Sequence, residues 1–363
     1  MRQLLACLAF VFLFSLPSSP LAALDLFDPA ASNPQTLSRQ IDRRIERLGL
    51  PVATPATDAQ LHRKLRDYLG GHHQTENMLG RAEAYFPIFE EIFCQYDIPT
   101  SLKYLAVAES MLKPHAQSGA DAAGLWQLMP QTARAYGLRV DYLIDERLDL
   151  QKSTDAAARL LRDLHEQYGN WHLAIAAYNA GTTRVSRAIR RSGGSTNYDR
   201  VRRYLPRETR NYVGAYIAAA YTLNYYHIHG LSAAEATDAT TTFNIHRRTS
   251  LRELAGLSGC DYRTLRRLNP SLVRGIVPTS TAGYALRLPL AHEEQLRHAI
   301  WGAGNLVVTY SLANLREERA LAQVQGFSAS NWLLGAHNVL NFDADEERTR
   351  IAGEWSRGWR EIA

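Results

Sequence analysis

Leu102-Lys103-Tyr104-Leu105-Ala106-Val107-Ala108-Glu109-Ser110-Met111-Leu112 is the stretch on which the reading of this chain turns. Leu102, Leu105 and Leu112 fall at i, i+3 and i+10, the spacing of one helical face, and Glu109 stands at i+7 on that face. A carboxylate among leucines loses hydration, which disfavours its charged form and raises its pKa. A carboxylic acid kept protonated near neutral pH can donate a proton in catalysis. Pro114 is expected to end the helix, leaving Glu109 in its last turn beside a loop that a substrate can reach. A structural ion pair is the plainer reading of the same residue.

Outward from this segment the pattern is helix after helix. Ala84 through Tyr96 puts Tyr85, Ile88, Phe89, Ile92 and Tyr96 on one stripe, and Asp97-Ile98-Pro99 breaks it. Ser153 and Thr154 offer N-caps to a helix with the stripe Ala157, Leu160, Leu161, Leu164 and Tyr168, ended by Gly169. Trp171, Ala174, Ile175 and Tyr178 repeat the spacing up to Gly181. Pro206 suits the first turn of a last helix carrying Tyr212, Tyr216, Ala219, Ala220 and Leu223. Almost nothing from Arg81 to Tyr226 alternates like a strand, so residues 81–230 are expected to form an all-α domain. Residues 24–80, polar and helical in pattern, form a lead-in to it.

Past Gly230 the texture changes. Residues 231–242, rich in Ala and Thr, read as a linker. Within 243–290, Phe243-Asn244-Ile245-His246 suits a short strand, Ser250 and Glu253 form a capping box, and Asp261 caps a second helix ending at Asn269-Pro270. Tyr284, Leu286 and Leu288 alternate as a closing strand, giving a small α+β module in βααβ order. Residues 291–363 carry a weaker echo. Gly326-Phe327-Ser328 parallels Gly256-Leu257-Ser258, which suggests a degenerate second module with a helical tail. The fold class is therefore mainly α.

At 363 residues the chain exceeds one ordinary core, and 46% hydrophobic with 21% charged residues excludes a disordered chain. Residues 1–23 read as a secretory signal peptide: Arg2, an apolar run from Leu4 to Leu16, and a small-residue exit to Ala23. Leu4-Leu5-Ala6-Cys7 has the form of a lipoprotein cleavage box, but it precedes any full hydrophobic region. Beyond this leader Cys94 and Cys260 remain, too few for a disulfide framework and expected as two separate buried thiols, with a single bridge between them as the alternative. A net charge of +5 on an exported chain suits an anionic polymer such as bacterial cell wall, and export disfavours nucleic acid. A solvated arginine-rich surface is the plainer alternative. Neither His72-His73 nor the pair His227 and His229 has metal-ligand spacing, so no metal and no cofactor is expected.

Two further words carry chemistry. Gly124-Leu125-Trp126-Gln127-Leu128-Met129-Pro130 supplies an apolar ring, an amide and a thioether, which suits a sugar-holding groove. A core Trp at a helix start accounts for Trp126 equally well. In Ala177-Tyr178-Asn179-Ala180-Gly181, Tyr178 lies on an apolar stripe where its phenol needs a partner, and a buried carboxyl group would serve. A core tyrosine beside a helix cap is the ordinary alternative.

Glu109-Ser110, Ser118, GLWQLMP, AYNAG and then Pro206-Arg207-Glu208-Thr209-Arg210-Asn211-Tyr212-Val213 together resemble, in order and spacing, the family 1 soluble-lytic-transglycosylase domain. Within that family the chain is similar to the membrane-bound lytic murein transglycosylase D group, whose members carry C-terminal LysM modules. The resemblance implies a lysozyme-like fold that cleaves the MurNAc-GlcNAc bond of peptidoglycan glycan strands. It places the acid-then-base role on Glu109, and substrate contacts on Ser118, Gln127, Met129, Tyr178, Asn179 and Tyr212. Asp121 departs from the family pattern, where a small residue is usual, and Arg248-Thr249-Ser250-Leu251 departs from the usual opening of a LysM module.

Glycoside hydrolysis normally needs two carboxylates. A lytic transglycosylase needs one, because the sugar's own 6-hydroxyl attacks and closes a 1,6-anhydro ring. Glu109 is the one carboxylate embedded in the motif helix, which favours this second chemistry. A lysozyme-type hydrolase and an inactive wall-binding protein are the alternatives. The expected setting is the periplasm, in contact with the outer membrane or with other cell-wall enzymes.

Overall fold

The computed structural model describes residues 34–53, 59–234 and 239–302. The expected signal peptide and all of the second module and tail beyond residue 302 lie outside the described residues. In chain order the helices before residue 230 are α1 (Pro34–Arg47), α2 (Ala59–Gly70), α3 (His72–Gln95), α4 (Tyr104–Ser110), α5 (Pro130–Ala135), α6 (Leu150–Tyr168), α7 (Trp171–Ala180), α8 (Thr182–Arg191), α9 (Tyr198–Arg202) and α10 (Arg207–Tyr225). Two compact units result: residues up to Met111 with Leu160–Glu235, and Leu112–Arg159 with the residues from Ala236 on.

The first unit is organised around α10. Its sequence, Tyr212-Val213-Gly214-Ala215-Tyr216-Ile217-Ala218-Ala219-Ala220-Tyr221, is buried residue after residue. A helix apolar on all sides belongs inside, and its Gly and Ala positions let neighbouring backbones come close. At Gly214 even a methyl group would stand 3.2 Å from the Leu61 main-chain nitrogen, so α2 lies almost backbone to backbone on α10. α2 presents Leu61, Leu65 and Tyr68 as its buried residues. The second half of α6 with α7, α8 and α9 closes another core around Leu164, Leu173, Val185 and Val201.

Three local readings need correction. α3 starts at His72 and buries Met78, Leu79, Ala82, Phe89 and Phe93, whereas Tyr85, Ile88, Ile92 and Tyr96 stay half-exposed. Both stripes have helical spacing, and only the position of the packing partner chooses between them. Ser153 and Thr154 are not caps: they lie inside α6 and return their hydroxyls to the carbonyls of Asp149 and Leu150. Asp149 accepts from Lys152 N at 2.9 Å and does the capping instead. Finally, α4 stops before Pro114, because Met111 and Leu112 turn to φ of 51° and 57°. Of the two cysteines, Cys260 is buried but Cys94 is exposed.

The second unit joins residues 112–159 to the C-terminal module. Trp126 is fully buried and its indole N–H donates to Thr154 Oγ1 at 2.9 Å, which settles it as a core residue. In the module, β1 (Thr240–Ile245) pairs antiparallel with β4 (Tyr284–Pro289), with Phe243 opposite Leu286. The short β2 (Thr249–Ser250) pairs with β3 (Ile276–Val277). Two helices, α11 (Leu251–Ser258) and α12 (Tyr262–Leu268), lie between β2 and β3, and α13 (Glu293–Arg297) follows β4. Strand β1 begins inside the segment read as linker, since Thr240 to Thr242 find main-chain partners in Pro289 to Arg287. Ser250 and Asp261 cap α11 and α12 as their sequence positions suggest.

Gly124 takes φ of 81°, and a Cβ there would overlap the Arg147 carbonyl oxygen at 1.9 Å. Gly124→Ala should therefore lose about 1–2 kcal/mol to the left-handed backbone and about 1–3 kcal/mol to overpacking. A thermal melt would show a lowered midpoint, and an unchanged midpoint would contradict the close packing.

Candidate active site

Glu109 sits in the last turn of α4, and α10 supplies its partner. Tyr212 donates its phenolic hydrogen to Glu109 Oε1 at 2.5 Å. Tyr212 is buried, and Glu109 retains partial exposure. Burial pushes the Glu109 carboxyl up to about 7, opposed by the Tyr212 hydrogen bond, which favours the charged form, and reinforced by the negative charge of Glu208. The phenols of Tyr178 and Tyr212 are both raised well above the ordinary tyrosine value, by burial first and then by the Glu109 charge. Glu109, Tyr178 and Tyr212 are thus gathered at one place by α4, α7 and α10. Asn179, next to Tyr178, accepts from Thr209 Oγ1 of α10 at 2.9 Å. The free end of α4 is held by Arg81 of α3, whose Nη2 donates to the Met111 carbonyl at 3.0 Å.

Ser118, Gln127 and Met129 belong to the second unit, on a loop built by backbone pairing of Ala123 with Gln117 and with Leu128. Ser118 Oγ accepts from Ala120 N at 3.3 Å and Ala122 N at 3.0 Å, so its hydroxyl shapes the turn and still has a hydrogen to donate. Gln127 adopts φ of 47°. Its Nε2 donates to the carbonyls of Ala116 at 3.1 Å and Gly124 at 2.9 Å. Both amide hydrogens are then engaged within the loop, leaving Oε1 as the group it can offer to a ligand. Met129, just before Pro130 at the start of α5, is 44% exposed.

Two residues near Glu109 escape a linear reading. Tyr68 of α2 is buried, and its phenol is raised by burial, by Asp67 and by the Glu109 charge, so it belongs to the same electrostatic neighbourhood. Glu208 stands exposed in the first turn of α10 and acts on Glu109 through its charge. A helical stripe could have flagged Tyr68; nothing in the polar run Arg207-Glu208 could have flagged Glu208. Asp121, read as a loop residue, gives its carbonyl oxygen to Arg147 Nη1 at 2.5 Å. Among the described residues no cluster of His, Cys, Asp or Glu is placed to hold a metal ion.

Residues 88–201 match the Transglycosylase SLT domain, and residues 239–300 match the LysM-like domain of lytic transglycosylase MltD. A stretch of the helical region is thus similar to an SLT domain, and the α+β module at its C-terminal side is similar to a LysM-like domain. Its similarity extends to membrane-bound lytic murein transglycosylase D of Escherichia coli (strain K12), 29% identical over 257 residues, which are 69% of this chain and 56% of that protein. A transglycosylase of Enterobacteria phage PRD1 is 33% identical over 93 residues, 25% of this chain and 33% of the phage protein. The crystal structure of the 70 kDa soluble lytic transglycosylase SLT70 from Escherichia coli is similar at 20% identity with a TM-score of 0.36, over 59% of this chain and 38% of that one. The chain spans about half the length of the first of these relatives.

Tyr212→Phe removes the one hydrogen bond that favours ionised Glu109. The Glu109 pKa should then move further up, by about one unit, given that a hydrogen bond to a charged group is worth about 1.5 kcal/mol or more. A carbon-13 NMR titration of the carboxyl checks this, and a shift downward would contradict the assigned bond.

Proposed function

We propose that this chain is a peptidoglycan lytic transglycosylase that cleaves the MurNAc-GlcNAc β-1,4 bond and leaves 1,6-anhydro-MurNAc ends. The observation that carries the reading is a carboxyl group at a helix end that accepts from the buried Tyr212, raised to about 7 by burial, with the half-buried Tyr178 in the same electrostatic neighbourhood. At neutral pH a substantial fraction of Glu109 is in the acid form.

Protonated Glu109 gives its hydrogen to the glycosidic oxygen as the bond from the MurNAc anomeric carbon to that oxygen breaks. GlcNAc leaves with a free 4-hydroxyl. The resulting Glu109 carboxylate, stabilised by the Tyr212 hydroxyl, takes the proton of the MurNAc 6-hydroxyl as its oxygen bonds to the anomeric carbon. The ring closes and Glu109 is again an acid, so no external water and no cofactor enters the balance. Tyr178 and Asn179 of α7 are assigned to substrate contact, as are, by the groups they carry, the hydroxyl of Ser118, the amide oxygen of Gln127 and the exposed thioether of Met129. The segment 81–230 is assigned the catalytic role. The relative's printed name, a membrane-bound enzyme of murein, supports a place at a membrane. Among the described residues no helix is long and apolar enough to cross a membrane.

A second reading, hydrolysis by two carboxylates, draws on Glu208, which is close enough to influence Glu109. An exposed glutamate is a poor nucleophile or base for a buried reaction, and the single-carboxylate route needs nothing from it. Mass spectrometry of muropeptides released from purified sacculi separates the two: anhydro ends support transglycosylation, and free reducing ends would show hydrolysis. Cleavage should fall as pH rises through about 7, since the acid form is then lost. Glu109→Gln should slow release by on the order of a hundredfold or more. Its melting temperature relative to the parent should rise more at pH 8 than at pH 5, because only at pH 8 does the parent bury a charge.

A further inference from the structure

A hairpin-like segment that follows α5 pairs Val140 with Asp145 and enters the module core. Asp141 Oδ1 accepts from Leu143 N and Ile144 N, each at 2.8 Å, which folds the tip back on itself. Beyond the tip, Leu143 and Ile144 are 6% and 4% exposed and belong to the same core as Leu251, Leu265, Leu272 and Leu286. Backbone pairing joins the two pieces. Asp145 N donates to the Ser271 carbonyl and Val273 N to the Leu143 carbonyl, both at 2.9 Å, with Ile144 opposite Leu272. Arg266 steadies the receiving loop by donating to the carbonyls of Leu272 at 2.6 Å and Val273 at 2.9 Å. A second contact comes from His115, which hydrogen-bonds the main chain at Arg267.

The next link runs from Asp145 to the loop that carries the sugar-facing residues. Asp145 grips Arg147 through both carboxylate oxygens, at 2.9 Å to Nε and 2.7 Å to Nη2. Arg147 is buried, and its Nη1 donates to the carbonyls of Asp121 at 2.5 Å and Leu128 at 3.2 Å. Its own carbonyl lies against Gly124, where no side chain fits. Gln127 then ties Gly124 to Ala116. Each step from Leu143 to Gln127 is a buried or part-buried hydrogen bond or a core contact, so the module and the loop share one continuous framework.

We propose that the LysM-like module is an internal brace for the 116–129 loop: gripping Leu143 and Ile144, it fixes the Asp145–Arg147 pair, and through Arg147 it positions Ser118, Gln127 and Met129. Arg147 is on this account a positioning residue. The functional half of the inference rests on the reading of those three residues as substrate contacts; the mechanical half does not.

The test uses the full chain and native-state hydrogen exchange. Leu286→Ala opens the module core at a place remote in sequence from the loop. The bonded loop amides of Ala123, Gly124 and Leu128 should exchange at least about tenfold faster, together with module amides such as Leu272 and Arg287. Faster module exchange with loop exchange unchanged would overturn the brace. If Leu286→Ala does not fold, the parent chain in sub-denaturing urea answers the same question. A brace requires loop and module amides to merge onto one denaturant dependence, and separate dependences would overturn it. Kinetics with sacculi complete the test. The substrate KM should rise several-fold in Leu286→Ala while kcat and the pH limb near 7 hold. A loosened loop with unchanged KM would remove the positioning role. Loss of all activity in the parent would instead defeat the functional assignment and leave the exchange result standing.

Discussion

The Tyr212 to Glu109 hydrogen bond exists because α10 can be buried along most of its length, and that in turn requires the small residues Gly214, Ala215, Ala218, Ala219 and Ala220. With larger side chains α2 could not approach α10, and the pocket around the carboxyl would open to water. Desolvation is what lifts Glu109 to about 7, so the chemistry depends on the helix packing at one remove. The sign of this effect has a thermodynamic consequence. Folding favours the neutral acid, so its contribution to stability is present below the ordinary glutamate range and is lost as pH rises through about 7.

Strain gathers in the same segment of sequence. Non-glycine residues with positive φ include Met111, Leu112, Asp121 and Gln127, all within the stretch that joins α4 to α5. Each such conformation is disfavoured by about 1–2 kcal/mol and persists only where the surroundings over-determine it. The supports are visible. Arg81 holds the Met111 carbonyl, Arg147 holds the Asp121 carbonyl, and the Gln127 amide binds two carbonyls of its own loop. Side-chain donors thereby replace the regular hydrogen bonding that an irregular backbone gives up.

The desolvation of Glu109 could be read from sequence because one acidic residue interrupting an apolar helical stripe is a strong signal, and periodicity alone carries it. Trp126 could not be settled that way, since a ring between Leu and Gln serves a groove or a core equally well; the hydrogen bond to Thr154 decides. The link of Tyr68 and Glu208 to Glu109 was out of reach for another reason. Their nearness to Glu109 is made by α2 and α10 packing in three dimensions: the stripe that buries Tyr68 does not say what it faces, and Glu208 does not stand out from its polar neighbours. The α3 stripe shows the same limit, because two overlapping stripes satisfy the period and only the partner selects one.

The pairing of Leu143–Asp145 with Ser271–Val273 leaves almost no trace in sequence, being made of main-chain bonds between segments far apart in the chain. Its energetic logic is nonetheless simple. A module of this size encloses a small core and is marginal by itself. Leu143 and Ile144 add two buried aliphatic side chains, each worth about 1.5–3 kcal/mol when removed from water. The same contacts would leave the hairpin tip apolar and exposed if the module opened. Each partner therefore completes the other's burial, and neither the hairpin nor the module is at its own energy minimum alone. A mutual dependence of this kind gives a module with an atypical opening at Arg248-Thr249-Ser250-Leu251 a structural use in the surface it covers, independent of any sugar.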